Sequence, residues 1–110
     1  RDVKISEGSQ IMSGVIIQPG TQVGRDTIIN TGTLLDHDCT INDNCHLGPG
    51  VTLSGGVKID SGVYVGVGVT VVQNISIGAN AVLAAGSVIY RNIPGEVTYI
   101  QPRSSIFKKN

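Results

Sequence analysis

A repeat of six residues runs without insertion through most of the chain. From Val3 to Asn92 the sequence divides into fifteen hexads, and the third residue of every hexad is Ile, Leu or Val. The sixth residue of every hexad is Gly, Asn or Asp, the residue types that enter the left-handed backbone region at least cost. Each hexad therefore combines a short apolar segment with its own turn signal.

The strict period of six predicts a solenoid of short strands. The first residue of each hexad is small or β-branched and lies on the same side of a strand as the third, so both face inward. An α-helix needs apolar spacing near 3.6, and the strands of a sandwich would be longer and less regularly turned. We expect an all-β, parallel β-helix of five three-sided coils, in which residues eighteen apart stack. The period alone leaves the hand of the coil open.

The repeat divides the chain into a β-helix domain, 1–92, and a C-terminal tail, 93–110. Pro94 and Gly95 break the hexads, so we expect the tail to leave the prism and cover the strand edges of the last coil. Ile106 and Phe107 are the apolar residues available for this, or for a neighbouring subunit. Because the chain begins with Arg rather than Met, we also expect a preceding domain to cover the first coil.

Charge and hydropathy argue against two classes of partner. Eight Lys and Arg residues balance eight Asp and Glu residues, and no basic cluster marks a nucleic-acid or anionic-membrane surface. No apolar run approaches the length of a membrane span, and no signal segment opens the chain. We expect a cytoplasmic protein that binds neither nucleic acid nor membrane.

The second residue of each hexad points outward and gives the three sides different surfaces. One side is polar, and two sides present apolar groups that nothing in this chain would bury, which predicts a closed oligomer. The polar side carries Lys4, Gln22, Thr40, Lys58 and Ser76; the second carries Gln10, Ile28, His46, Tyr64 and Val82; the third carries Ile16, Leu34, Thr52, Thr70 and Val88.

The corners that follow the second side are almost without side chains in three successive coils. Residues 48–50, 66–68 and 84–86 read Gly-Pro-Gly, Gly-Val-Gly and Ala-Ala-Gly. One interpretation is that these turns simply favour glycine. The other is a groove whose exposed backbone groups bind a long, thin ligand that contains amides.

His37 occupies a corner between two carboxylates, Asp36 and Asp38. It is either a solvated turn histidine or a general base, because a carboxylate can hold one ring nitrogen protonated and leave the other to accept a proton. The corner eighteen residues on is Ser-Gly-Gly, which leaves room for a substrate beside the ring. We therefore treat His37 as the candidate catalytic residue.

His46 lies on the second side, as an exposed ring or at a subunit seam. Two histidines on different sides do not make a zinc site of the three-histidine type found in some β-helix enzymes, and no metal is predicted. Cys39 and Cys45 fall at the first place of their hexads, so we expect buried free thiols in the bore.

The segment 29–59 reads INTGTLLDHDCTINDNCHLGPGVTLSGGVKI. Its NTG, its HDC and its later His resemble the hexapeptide-repeat sugar acetyltransferases of the NeuD/PglD/VioB-like family, a group of sialic acid O-acetyltransferases and bacterial amino-sugar N-acetyltransferases. The resemblance covers 15–94. It implies a left-handed β-helix, against the right-handed norm for parallel crossovers, a homotrimer, and acetyl-CoA as the acyl donor.

The same resemblance implies roles for individual residues. His37 matches the general base, and Asp38 matches the acidic residue that orients it, with Asp36 as a second candidate. The resemblance places the remaining residues in binding roles: His46, Gly55, Val67 and Ala85 along acetyl-CoA, and Asn30 at the acceptor sugar.

The implied reaction is direct acetyl transfer to a bacterial sugar, with N-acetylation of a nucleotide-linked amino sugar for surface glycan synthesis as the leading interpretation. O-acetylation of sialic acid or another sugar is the alternative, and a non-catalytic trimerisation or binding module is the alternative from another class. One feature departs from the family: residues 100–103, Ile-Gln-Pro-Arg, stand in place of its usual G-x-P-A-[KR] tail. We also expect the N-terminal nucleotide-sugar-binding domain of that family to be missing here.

Overall fold

The computed structural model describes residues 2–102 and 106. This part of the chain contains strands and turns and no helix, so no helix in it could cross a membrane. Its sixteen strands have two residues each. They are Lys4–Ile5 (β1), Gln10–Ile11 (β2), Ile16–Ile17 (β3), Gln22–Val23 (β4), Ile28–Ile29 (β5), Leu34–Leu35 (β6), Thr40–Ile41 (β7), His46–Leu47 (β8), Thr52–Leu53 (β9), Lys58–Ile59 (β10), Tyr64–Val65 (β11), Thr70–Val71 (β12), Ser76–Ile77 (β13), Val82–Leu83 (β14), Val88–Ile89 (β15) and Thr98–Tyr99 (β16).

The strands form three parallel sheets, one for each side of the coil. The first sheet runs β1-β4-β7-β10-β13, the second β2-β5-β8-β11-β14-β16 and the third β3-β6-β9-β12-β15. Paired residues are eighteen apart, as in Lys4 with Gln22, so the register follows the repeat without a slip. The predicted fold class, a left-handed parallel β-helix of five coils, is confirmed. We call the turn after each sheet the first, second or third corner.

Aliphatic ladders fill the bore of the solenoid. Third-place residues such as Ile29, Leu47 and Leu83 are fully buried, and so are first-place residues such as Val51 and Val69. Burial of apolar side chains from all three sheets stabilises two-residue strands that would not form alone. The inward-facing positions are those that the hexads predict.

Polar first-place residues are buried as well, and they bond to the corners of neighbouring coils. The Thr33 hydroxyl donates to the carbonyl of Gly48 at 3.0 Å, and the Thr21 hydroxyl donates to the carbonyl of Asp36 at 2.9 Å. Thr21 Oγ1 also accepts from the backbone N–H of Cys39 at 3.2 Å. These bonds satisfy backbone groups that the tight corners would otherwise leave buried and unpaired.

The tail does not leave the prism within the described residues. Ile93 is buried and pairs with Ile77, sixteen residues away rather than eighteen, and β16 pairs with β14. The side-chain amide of Gln101 accepts from the Val88 N–H at 3.0 Å and donates to the Val88 carbonyl at 3.1 Å. All three strand edges of the last coil are thus covered by backbone or amide pairing.

The apolar residues predicted to serve this cap do not form it in the described part of the tail. Ile106 is 97% exposed, and Phe107 and Arg103 lie outside the described residues. The tail caps the last coil by hydrogen-bonded pairing because an open strand edge presents unbonded N–H and C=O groups, which an apolar side chain cannot satisfy.

Candidate active site

The third corner of the second coil carries Asp36, His37 and Asp38 directly after β6. Its backbone is tied to the coils on both sides: the Asp38 N–H donates to the Pro19 carbonyl at 3.1 Å, and the Gly56 N–H donates to the His37 carbonyl at 3.0 Å. Asp38 has φ +58°, the left-handed conformation that the sixth place of each hexad predicts. The corner is therefore a rigid base for the histidine.

The two carboxylates contact different parts of His37. Asp38 Oδ2 lies 3.1 Å from His37 Nδ1, whereas Asp36 Oδ1 accepts from the His37 backbone N–H at 2.7 Å. When Nδ1 carries the proton, the bond to Asp38 fixes the tautomer and leaves Nε2 as the acceptor. The His37 side chain is 62% exposed, so the ring is accessible to a substrate. Asp38 is the residue that orients the ring.

Gly55 lies in the third corner of the next coil, against the far edge of the ring. A β-carbon at Gly55 would be 2.6 Å from both Cε1 and Nε2 of His37. The edge of the ring that carries Cε1 and Nε2 therefore packs against Gly55, in the space that a side chain at position 55 would need.

His46 is the central residue of the second-sheet face. It is partly buried on β8, and its ring lies 5.2 Å from that of Tyr64 at an interplanar angle of 59°. This tilted contact is typical of paired rings. His46 thus belongs to an outward face that also includes the exposed Tyr64 and Val82.

The glycine-rich second corner fits both interpretations of its glycines, a requirement of the turn and a groove with exposed backbone. A β-carbon at Gly48 would be 2.9 Å from the Val67 backbone nitrogen, and Gly50 has φ +66°, so the turn itself requires both glycines. The same glycines leave the stack of second corners without side chains. At its end, residues 84–87 and 100–102 line a cavity of about 250 Å³.

Asn30 lies in the same second corner, two coils before Gly66. Its Oδ1 accepts from the Thr31 N–H at 2.7 Å, as Asp60 Oδ1 does from the Ser61 N–H. At these two positions the Asx side chain at the fourth place of the hexad caps the corner that follows it. This local role of Asn30 was not predicted from the sequence, although the Asx residue at the fourth place was a visible signal for it.

The predicted site residues form two groups within one chain. His37, Asp36, Asp38 and Gly55 are together in the third corner. Asn30, Val67 and Ala85 are together in the second corner, and the third sheet separates the two corners. The structure of one chain brings the proposed base and its carboxylate together, but not the base and the glycine-rich edge.

Both cysteines are free and buried in the bore, as predicted. Cys39 Sγ donates to the Ser54 carbonyl at 3.2 Å, and Cys45 Sγ donates to the Asp60 carbonyl at 3.0 Å. Burial raises the pKa of each thiol above its ordinary value of 9.0, which keeps the proton needed for these bonds. In the part of the chain that the structure describes, no three His, Cys, Asp or Glu residues form a group that could hold a metal ion.

Comparisons with known proteins agree with the fold. Residues 2–37 match the family model described as bacterial transferase hexapeptide, six repeats. No curated protein sequence matches the chain.

Several solved structures share the fold and part of the sequence. A perosamine N-acetyltransferase from Caulobacter crescentus, solved as a histidine-to-asparagine variant with CoA and GDP-perosamine, is 35% identical over 87% of this chain, with a TM-score of 0.77. The acetyltransferase domain of PglB from Neisseria gonorrhoeae, solved with acetyl coenzyme A, is 32% identical over 87% of this chain, with a TM-score of 0.86. A galactoside acetyltransferase in complex with coenzyme A is 25% identical over 86%, with a TM-score of 0.75.

The chain spans about half the length of these proteins. It covers 49% of the perosamine N-acetyltransferase chain, 47% of the PglB chain and 58% of the galactoside acetyltransferase chain.

Proposed function

We propose, on the premise that this chain carries the hexapeptide-repeat β-helix of the sugar acetyltransferases, that it transfers the acetyl group of acetyl-CoA to an amino sugar linked to a nucleotide. The observation that carries the proposal is the third corner: the imidazole of His37, held by Asp38 at 3.1 Å, directs its Nε2 edge over the bare Gly55. This arrangement supplies a base and its orienting carboxylate, and the 62% exposed side chain of His37 leaves the ring accessible to a thioester.

The proposed reaction is a direct transfer. His37 Nε2 accepts a proton from the sugar amine as its nitrogen attacks the thioester carbonyl carbon. The carbon–sulfur bond then breaks, the amide forms, and the CoA sulfur leaves and takes up a proton. Backbone N–H groups of a glycine corner steady the oxyanion of the tetrahedral intermediate. No covalent enzyme intermediate is invoked, since both cysteine thiols are buried.

The donor and acceptor are inferred from the similar proteins. All three were solved with CoA or acetyl-CoA, and one of them also holds GDP-perosamine. An amine acceptor is supported by the 35% identity to the perosamine N-acetyltransferase, against 25% to the galactoside acetyltransferase. N-acetylation of a nucleotide amino sugar is therefore preferred to O-acetylation. Asn30 would face this acceptor, and His46, Gly55, Val67 and Ala85 would contact the cofactor.

We infer that the working site lies between subunits of a homotrimer. The faces of the second and third sheets expose Tyr64, Val82, Ile16 and Val88, which a monomer would leave in water. A second copy docked on these faces would bring a glycine-rich second corner to the His37 of its neighbour, which one chain does not do. The two buried free thiols and the use of acetyl-CoA favour the cytoplasm.

Replacement of the proposed base tests this function. We expect His37→Ala to lower kcat for transfer from acetyl-CoA to an amino-sugar nucleotide such as GDP-perosamine by roughly 10² to 10⁴-fold. The oligomer should be unchanged, because the ring is largely exposed and contributes little to packing. The release of CoA thiol measures the rate, and sedimentation measures the assembly.

Arg25→Ala is the matched control, since Arg25 occupies the same place of its hexad in the first corner. It should leave kcat unchanged. Unaltered turnover in His37→Ala would remove His37 from the chemistry. Calorimetric binding of acetyl-CoA without turnover on any sugar nucleotide would instead favour a non-catalytic binding module.

A further inference from the structure

Gly55 stands at a place in the repeat where no other hexad has glycine. In the other fourteen hexads the fifth residue is Glu, Ser, Pro, Arg, Thr, His, Asp, Val, Gln or Ala. Gly55 is also not among the glycines with positive φ, so its backbone is in a region open to any L residue. Ala79 and Ala85 occupy the same place of their own hexads. The turn itself therefore does not require glycine at position 55.

The position of the His37 imidazole explains why residue 55 is a glycine. A β-carbon at position 55 would lie 2.6 Å from Cε1, 2.6 Å from Nε2 and 3.2 Å from Cδ2 of the ring. Non-bonded carbon atoms pack at about 3.5–4.0 Å, so the ring occupies the space that a side chain would need. The glycines at Gly48 and Gly66 differ, because their β-carbons would meet backbone atoms of the next coil.

The corner below the ring is held firmly, so it cannot yield to an added methyl group. The Gly55 carbonyl accepts from the Asn74 N–H at 2.9 Å, and the Gly56 N–H donates to the His37 carbonyl at 3.0 Å. From inside the bore, the Cys39 thiol donates to the Ser54 carbonyl. A side chain at position 55 would therefore move the exposed ring and not the backbone.

We propose that Gly55 is a positioning residue for His37: its missing side chain lets the Cε1–Nε2 edge of the imidazole lie over the corner while Nδ1 meets Asp38. This inference rests on the proposed function for its effect on turnover. The position of the ring, however, can be measured without any substrate.

Gly55→Ala tests the proposal directly. The chain has two histidines, so nitrogen NMR of the imidazoles reports on His37, with His46 on the second sheet as an internal reference. We expect the His37 ring signals to shift and its Nδ1–H to lose protection, while the His46 signals stay in place. We expect kcat to fall by about 10²-fold, as displacement of a reacting group by about 1 Å does. KM for acetyl-CoA reports separately on the cofactor contact proposed for Gly55, and we expect it to change by a smaller factor than kcat.

The same substitution in a His37→Ala background is the control. With the ring gone, Gly55→Ala should cause no further loss of kcat, and it should lower the melting temperature less than it does beside the intact ring. Unchanged His37 ring signals in Gly55→Ala would overturn the proposal. A raised KM for acetyl-CoA with unchanged kcat would also overturn it, because Gly55 would then act only through its contact with the cofactor. If the unaltered protein transfers no acetyl group, the proposed function fails and the NMR comparison alone decides the role of Gly55.

Discussion

At the scale of single residues, the central feature of the candidate site is that Asp36 and Asp38 contact different parts of His37. Asp38 meets the imidazole at Nδ1, and Asp36 accepts from the backbone N–H of His37. The carboxylate on the ring governs the tautomer and stabilises the charge that forms when Nε2 takes a proton. The carboxylate on the backbone supports the shape of the corner. Replacement of the two residues should therefore have different effects on kcat and on the free energy of unfolding.

We predict that Asp38→Asn lowers kcat by roughly 10- to 100-fold with little change in the free energy of unfolding, because it removes the charge beside the ring. Asparagine is the suitable replacement, since it tolerates the φ of +58° at this position, where alanine would add strain. Steady-state kinetics and urea unfolding of the same preparation provide the two measurements.

Asp36→Ala is the matched variant, and it should lower the free energy of unfolding by about 1 kcal/mol through loss of a corner hydrogen bond. Its kcat should change less than that of Asp38→Asn. If Asp36→Ala abolished turnover at full stability while Asp38→Asn remained active, the two roles would be reversed.

At the scale of the strand, each element depends on its neighbours along the solenoid. A two-residue strand bonds only to the equivalent strands eighteen residues before and after it, so the strands of the last coil would present open edges. The tail closes these edges with β16 on β14 and with the side chain of Gln101 on Val88 of β15. A single amide thus replaces a missing sixth strand of the third sheet.

We predict that Gln101→Ala accelerates hydrogen exchange at the Val88 amide, because that N–H loses its acceptor. The Thr70 amide, which donates to the Ser87 carbonyl, should keep its protection and serves as the internal reference. Gln101→Glu keeps an acceptor oxygen and should preserve protection at Val88. Equal exchange rates in the unaltered protein and in Gln101→Ala would indicate that the amide does not cap β15 in solution.

At the scale of the whole molecule, the three outward faces differ more in polarity than the three inward faces that line the bore. The first sheet presents Lys4, Gln22 and Lys58 to solvent, whereas the third sheet presents Ile16 and Leu34. Burial of such apolar area yields roughly 25 cal/mol per Å², enough to make association favourable once two faces are covered. Assembly and catalysis are therefore linked if the site lies between copies.

We predict that Leu34→Glu on the third-sheet face dissociates the oligomer and lowers kcat with it, because a carboxylate buried at an interface is strongly unfavourable. Gln22→Glu adds the same charge in the same coil on the first-sheet face, and it should leave both the mass and the activity unchanged. Sedimentation velocity measures the assembly. A Leu34→Glu protein with unaltered mass would show that the third sheet is not an interface.

Much of the architecture could be predicted from the sequence, since every coil repeats the same pattern of apolar and turn residues. The third-place Ile, Leu and Val residues and the sixth-place Gly, Asn and Asp residues specify strand, turn and register together, and the predicted fold class is confirmed. The resemblance of the chain to hexapeptide-repeat sugar acetyltransferases is confirmed by the comparisons. The individual site roles, the domain boundary at position 92 and the homotrimer stay predictions.

The tertiary structure decided the features that depend on side chains from neighbouring coils. Asp36 and Asp38 flank His37 at the fourth and sixth places of one hexad, and the turn at the corner directs Asp38 to the ring and Asp36 to the backbone. The sequence by itself determined that Gly55 follows His37 by one coil, but the close contact between them requires the stacking of two corners. The tail likewise stays on the solenoid because pairing satisfies the edges of the last coil, an interaction that no hexad pattern encodes.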